Sequence, residues 1–199
     1  MQHLYKQGTN DYTILLLHGT GGDENSLLQL ASLVDEQANV LSVRGNVLEN
    51  GMPRFFKRLA EGVFDFEDLA LRTEELYAFI GEASERYAFD RTKVIALGYS
   101  NGANIAANLL FTYADALAGA VLHHPMVPRR DADMPNLQNV PVFIGAGTND
   151  PLCTKEESEE LAERLIAAGA QVDTSWFHFG HQLTMDEVQA ATAWYQKTF

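Results

Sequence analysis

One junction in this chain dictates more of its fold than any other stretch. The apolar run Val94-Ile95-Ala96-Leu97 meets Gly98-Tyr99-Ser100-Asn101-Gly102 and passes at once into Ala103-Asn104-Ile105-Ala106-Ala107-Asn108-Leu109-Leu110. A strand apolar on consecutive positions is buried on both faces, and such strands belong to parallel sheets covered by helices. The turn that follows leaves no room for a loop. Glycines two places either side of Ser100 allow neighbouring backbone to pass where side chains would clash, while the serine itself is held in a strained conformation.

The rest of the sequence repeats this alternation. Residues 1–11 read as an edge strand or arm, and Tyr12-Thr13-Ile14-Leu15-Leu16-Leu17 as a buried strand ending in His18-Gly19-Thr20-Gly21-Gly22. Asp23 is placed as the N-cap of a helix carrying Leu27, Leu28, Leu30, Leu33 and Val34. Asn39–Val43 reads as a strand, 44–54 as a loop with an Asn50-Gly51 turn, and 55–64 as partly helical. An amphipathic helix is predicted from Asp65 to Tyr87, and further strands at Lys93–Leu97, Gly119–His124, Val140–Ala146 and Val172–Phe177. Helices are predicted from the serine to about Tyr113, at Lys155–Ala168 and at Thr184–Phe199, the last with Met185, Val188, Ala191, Trp194 and Tyr195 on its apolar side. The expectation is a single α/β domain over 1–199, with a mostly parallel central sheet covered by helices on both faces and little chain left for a lid. Ligands then bind at the carboxyl ends of the strands.

Composition excludes several classes. With 14 Lys+Arg against 27 Asp+Glu the net charge is −13, the wrong sign for nucleic acid or an anionic membrane surface. The single cysteine, Cys153, rules out an internal disulfide and leaves no thiolate cluster for a metal. No apolar run reaches membrane-spanning length and the first residues lack a signal-peptide pattern, so a cytoplasmic protein without membrane insertion is expected.

Gly98-Tyr99-Ser100-Asn101-Gly102, set between strand and helix, is a G-x-S-x-G nucleophile elbow. A nucleophilic serine needs a base, and the base an orienting acid, in the chain order Ser, acid, His for this architecture. Asp150 follows the strand Val142–Ala146 through Gly147-Thr148-Asn149, and His181 follows Ser175–Gly180. Both fall at strand ends on the edge where Ser100 lies. Of the other histidines, His178 sits too near its strand, His123 and His124 precede Asp150, and His18 reads as a structural residue holding loops. The oxyanion hole is assigned to the backbone N–H groups of Asn101, at the helix start, and Thr20, in the glycine-rich turn. A phosphate-binding reading of those glycines fails for want of G-K-[ST] or G-x-G-x-x-G. Met52, Phe55 and Phe56 are candidates for an apolar substrate wall, with burial in the core as the equal alternative for the two phenylalanines. Arg44 and Arg54 read as solvated loop residues, and Cys153 as a small residue near the site that is not the nucleophile.

Taken together, His18–Glu24, Arg44–Gly51, Gly98–Gly102, Thr148–Pro151 and Gly180–Leu183 resemble the small carboxylesterase/phospholipase branch of the α/β-hydrolases, which includes the acyl-protein thioesterases. Within it the chain is most similar to bacterial carboxylesterases of the hydroquinone-associated type, over nearly its whole length. The resemblance implies Ser100, Asp150 and His181 as triad, Thr20 and Asn101 as oxyanion donors, no cofactor or metal, and a homodimer. Acyl-protein thioesterases have Gln after the nucleophile where this chain has Asn101, which weakens the case for lipidated-protein substrates. The expected activity is hydrolysis of small-molecule esters of small to medium carboxylic acids through an acyl-enzyme on Ser100. A thioesterase or lysophospholipase with the same triad is the nearest alternative, and a non-catalytic ligand-binding relative is the alternative of another class.

Overall fold

A computed structural model describes residues 1–199. Six parallel strands and their helices follow the predicted alternation: β2 (Thr13–Leu17), β3 (Asn39–Val43), β8 (Val94–Tyr99), β9 (Gly119–His123), β10 (Pro141–Gly147) and, at the edge, β11 (Gln171–Phe177). With β1 (His3–Lys6) they form a seven-stranded sheet of order β1-β3-β2-β8-β9-β10-β11. Only β1 runs antiparallel, pairing with β3 at the edge.

Alternation along the central strands divides the core in two. Leu15 and Leu17 of β2, with Val94 and Ala96 of β8, face α2 (Phe66–Tyr87), α3 (Asn101–Thr112) and α4 (Lys155–Ala167). Ile14, Leu16, Ile95 and Leu97 point the other way, onto α1 (Leu28–Val34) and α5 (Met185–Thr198). Continuous apolar strands are therefore two interleaved faces, each with its own layer of helices. No helix is long and apolar enough to cross a membrane.

Four local expectations are corrected. Asp23 does not cap α1; its Oδ1 accepts the Asn25 N–H and the Ser26 hydroxyl in a turn, and the helix starts at Leu28. The segment 44–54 is a hairpin of β4 (Val47–Glu49) and β5 (Met52–Arg54), closed by Asn50 (φ 51°) and Gly51 (φ 81°), the left-handed pair that a two-residue turn requires. Residues 55–64 are not helical: they form a second hairpin, β6 (Arg58–Ala60) and β7 (Val63–Phe64). On α5, Met185 is exposed, and the buried positions are Glu187, Val188, Ala191 and Tyr195.

Candidate active site

Ser100 ends β8 and caps α3 with φ 52° and ψ −113°, a strained backbone for a residue with a side chain. Its neighbours show why glycines flank it. A Cβ on Gly98 would lie 2.7 Å from the Ala103 nitrogen, and one on Gly102 would overlap the Leu17 carbonyl outright. The turn can be this tight only because both positions lack side chains.

The hydroxyl so presented lies 2.9 Å from His181 Nε2, and His181 Nδ1 lies 2.7 Å from Asp150 Oδ2. Asp150 hangs from the loop after β10 and His181 from the loop after β11. Gly180 N–H donates to Asn149 Oδ1 at 2.9 Å, tying the two loops together. Tyr99, next to the serine, donates its hydroxyl to the His181 carbonyl at 2.6 Å and so ties the His181 loop to the end of β8. Its ring fits because Gly19, in the glycine-rich turn, has no Cβ to meet it.

Asp150 is buried. Burial alone would raise its pKa, but the N–H groups of Cys153 and Leu152 on Oδ1 and the imidazoles of His181 and His124 outweigh that and hold it below the usual carboxylate range. It is ionised and ready to orient an imidazole N–H. Cys153 is buried beside it; desolvation and the negative charge of Asp150 push its thiol pKa far up, so it stays an S–H, donating to the His124 carbonyl at 3.1 Å.

A cavity of about 320 Å³ opens at Ser100, lined by Thr20, Arg54, Asn101, Phe64, Met126 and Leu152 among others. Thr20 and Asn101 both border it, as an oxyanion hole needs. The Asn101 N–H, first in α3, has no helical acceptor four residues back. The Asn101 side chain is engaged elsewhere, its Oδ1 accepting the Phe55 N–H at 2.7 Å and tying the 44–64 segment to the elbow.

Phe55 and Phe56 are not in the cavity wall; both are fully buried in the core, and Met52 is exposed away from it. The apolar lining comes instead from Phe64 of the second hairpin, Met126 and Leu152. Glu61 and Gly62, at the tip of that hairpin, border the cavity too, so the segment expected to be helical instead roofs part of the site. Arg54, expected in solvent, is 3% exposed, donating to Thr20 Oγ1 at 2.6 Å and to the Phe56 carbonyl at 3.2 Å. Arg44 is half-buried, paired with Glu24 at 2.5 Å and with Asp23 at 3.7 Å. His18 is buried and bridges loops as expected, bonding the Gly19 carbonyl through Nδ1 and accepting the Gly45 N–H on Nε2. His178 is exposed and bonded to Thr148 Oγ1.

Behind Asp150 lie residues that sequence reasoning set aside or missed. His124 reaches Asp150 Oδ2 with Nδ1 at 2.8 Å and Glu187 Oε2 with Nε2 at 3.1 Å, and His123 Nδ1 lies 2.5 Å from Glu187 Oε1. Glu187, which sequence reasoning did not single out, lies in the first turn of α5 and is fully buried. The one available signal is Gly145 on β10, where a Cβ would overlap the Glu187 carboxylate. Donor atoms of His124, Asp150 and His181 fall within 4.8 Å of one another, the set a divalent cation would take. Each is already engaged in this hydrogen-bonded chain.

A model of the dienelactone hydrolase family matches residues 63–197. MhqD of Bacillus subtilis (strain 168), whose name goes no further than hydrolase, is 59% identical over 197 residues, 99% of this chain and 98% of MhqD. The crystal structure of the Bacillus cereus carboxylesterase has a TM-score of 0.99 at 60% identity, covering 100% of this chain and 95% of that one. YahD, solved with malic acid, has a TM-score of 0.95 at 32% identity, covering 100% and 99%.

Proposed function

The chain belongs to the dienelactone hydrolase family, and from that premise we propose that it is a serine carboxylesterase acting on esters of small to medium carboxylic acids. The observation that carries this is the continuous line from the Ser100 hydroxyl through His181 to Asp150, at 2.9 and 2.7 Å. His181 Nε2 takes the Ser100 proton as Oγ attacks the ester carbonyl, while ionised Asp150 fixes the proton on Nδ1 and stabilises the imidazolium. The N–H groups of Thr20 and Asn101 receive the developing oxyanion, each contributing about 2.7–4 kcal/mol, the cost of losing one such donor. His181 then returns the proton to the departing alcohol, and water, activated by the same base, releases the acid from Ser100.

The cavity favours short acyl groups. Its volume of about 320 Å³ lies at the lower end for small-molecule sites. Thioesters and lysophospholipids would meet the same machinery, and a long acyl chain would have to leave past the roof at Glu61 and Gly62. A homodimer acting in the cytoplasm is part of the same reading, and sedimentation of the purified chain checks the dimer.

A fluorophosphonate probe and a panel of short aryl esters, thioesters and lysophospholipids test the assignment. Covalent labelling at Ser100 is expected, with Ser100→Ala unlabelled and kcat lowered by roughly 10⁵–10⁶. Labelling that persists in Ser100→Ala would remove the nucleophile from this reading. A marked preference for long-chain lysophospholipids would overturn the substrate class.

A further inference from the structure

We propose that His124 is a buried imidazolium clamped between Asp150 and Glu187, and that it serves the hydrolytic reaction as a positioning residue for the triad's acid. The inference rests on the esterase reading above for its role, but the state of the ring follows from counting protons.

Four contacts link nitrogen to carboxylate oxygen in an unbroken chain: His181 to Asp150, Asp150 to His124, His124 to Glu187, and Glu187 to His123. Each needs one proton. Three neutral imidazoles supply three between them, since a neutral ring carries a single N–H. With both carboxylates ionised, one contact would then set a lone pair against an oxygen anion in a site closed to water. A fourth proton is required. Asp150 is a poor seat for it, because Oδ1 accepts two backbone N–H groups and Oδ2 accepts from His181. Glu187 is intrinsically less basic than imidazole by about two pK units, and has a histidine opposite each oxygen. His124 lies between two anions, so a proton there makes both of its contacts charge-assisted, N–H to carboxylate on either side.

The surroundings are built to hold the ring. His124 takes a left-handed backbone (φ 52°), its N–H donates to the Gly145 carbonyl at 2.7 Å, and its own carbonyl accepts from Cys153 Sγ. Gly145 leaves the space that the Glu187 carboxylate fills. The titratable groups facing His124 come from every element around it. They are Asp150 and Cys153 after β10, Glu187 on α5, His123 on β9, Tyr99 on β8 with its ring edge-on at 6.0 Å, and His181 after β11 with ring centroids 5.1 Å apart. Burial alone pulls the His124 imidazole down, but the hydrogen bonds and charges of Glu187 and Asp150 outweigh it and raise it above its ordinary value. Glu187 moves the opposite way, held below its usual range against its own burial by His123 and His124.

Two effects on the reaction follow. The second N–H on Asp150 Oδ2 fixes the carboxylate in line with His181. The positive charge also partly offsets the negative charge that Asp150 presents to the His181 ring.

The test is made on the full chain labelled with nitrogen-15 in histidine. Proton-coupled nitrogen spectra at about pH 8, well above the free imidazole value near 6.5, should show one ring with both nitrogens protonated. That signal should be absent in His124→Gln and should become a single N–H in Glu187→Gln, where three protons suffice. The second variant covers the case in which the first does not fold. In kinetics, the acid limb of kcat/KM for His124→Gln should move up by about one pH unit, as for loss of a cation some 5 Å away. A merely structural role would lower kcat at every pH and leave the limb in place, which overturns the proposal. So does a wild-type spectrum in which every ring has a single N–H. Failure of the esterase reading appears separately, as failure of the fluorophosphonate probe to label Ser100.

Discussion

Replacing Asp150 by Asn changes one atom and should disable the site through the tautomer of its base. Asp150 Oδ1 accepts the N–H groups of Leu152 and Cys153 at 2.8 and 3.0 Å, while Oδ2 faces Nδ1 of His181 and of His124 at 2.7 and 2.8 Å. An asparagine must keep its carbonyl oxygen on the two backbone donors, because an NH₂ group there would leave both unpaired at a cost of about 1–3 kcal/mol each. Its NH₂ then points at His181 Nδ1 and donates to it. The ring is forced to carry its proton on Nε2, aimed at the Ser100 hydroxyl 2.9 Å away, where a lone pair is needed. The expected loss in kcat on a short aryl ester is about 10⁴, the factor this change produces in a serine protease, equivalent to about 5.4 kcal/mol. Stability should fall much less. Exchanging charge-assisted bonds for neutral ones costs about 2 kcal/mol, which lowers Tm by about 4–8 °C in a domain of this size. Steady-state kinetics and a thermal melt on the same preparation read both quantities. A variant that melts as expected yet retains kcat within tenfold of the parent would show that Asp150 does not set the tautomer of His181.

Cys153 should resist iodoacetamide in the folded chain and react once it is denatured, since burial and Asp150 keep the thiol protonated; prompt alkylation of native protein would contradict this. Arg54→Met should lower kcat by roughly ten- to hundredfold, because Thr20 Oγ1 loses its partner and the oxyanion turn shifts; unchanged kinetics would free Thr20 from that anchor. Asp150 and Glu187 both have folded pKa values depressed below their unfolded ones, so their stabilising contribution is complete above the ordinary carboxylate range near 3.9–4.3 and is lost as pH falls through the lower folded values. Urea midpoints should therefore drop on acidification below about pH 4, and less steeply in Glu187→Gln; an equal drop in both would refute Glu187's share.

Much of the molecule was legible because its signals are local. Continuous apolar runs such as Ile14–Leu17 and Val94–Leu97 can only be strands covered on both sides, and the helical patterns between them supply the cover. That Ser100, Asp150 and His181 meet was legible because this topology sends every parallel strand out at the same rim, where chain order and placement beyond the strand end single out Asp150 and His181. What escaped depends on partners remote in sequence. Arg58–Phe64 has no periodicity of its own and becomes a hairpin by pairing across Gly62. Arg54 reads as a loop arginine until Thr20 and Phe56 are brought to it. Glu187 looks like a solvated first-turn acid, and only two histidines and a glycine some forty to sixty residues earlier make a buried carboxylate tolerable. Sequence periodicity reports which face is apolar, not which polar residue has found company inside.

Ser100, Asp150 and His181 do not share the same shelter. Ser100 leaves the middle of the sheet, whereas His181 leaves β11, the outermost strand, with a neighbour on one side only and most of its residues partly open to water. Edge segments open at lower free energy than a central strand. Warming should therefore detach the base while the serine's strand and both apolar layers are still intact, so that hydrolysis fades some degrees before circular dichroism changes, and returns on cooling as that outer ribbon docks again.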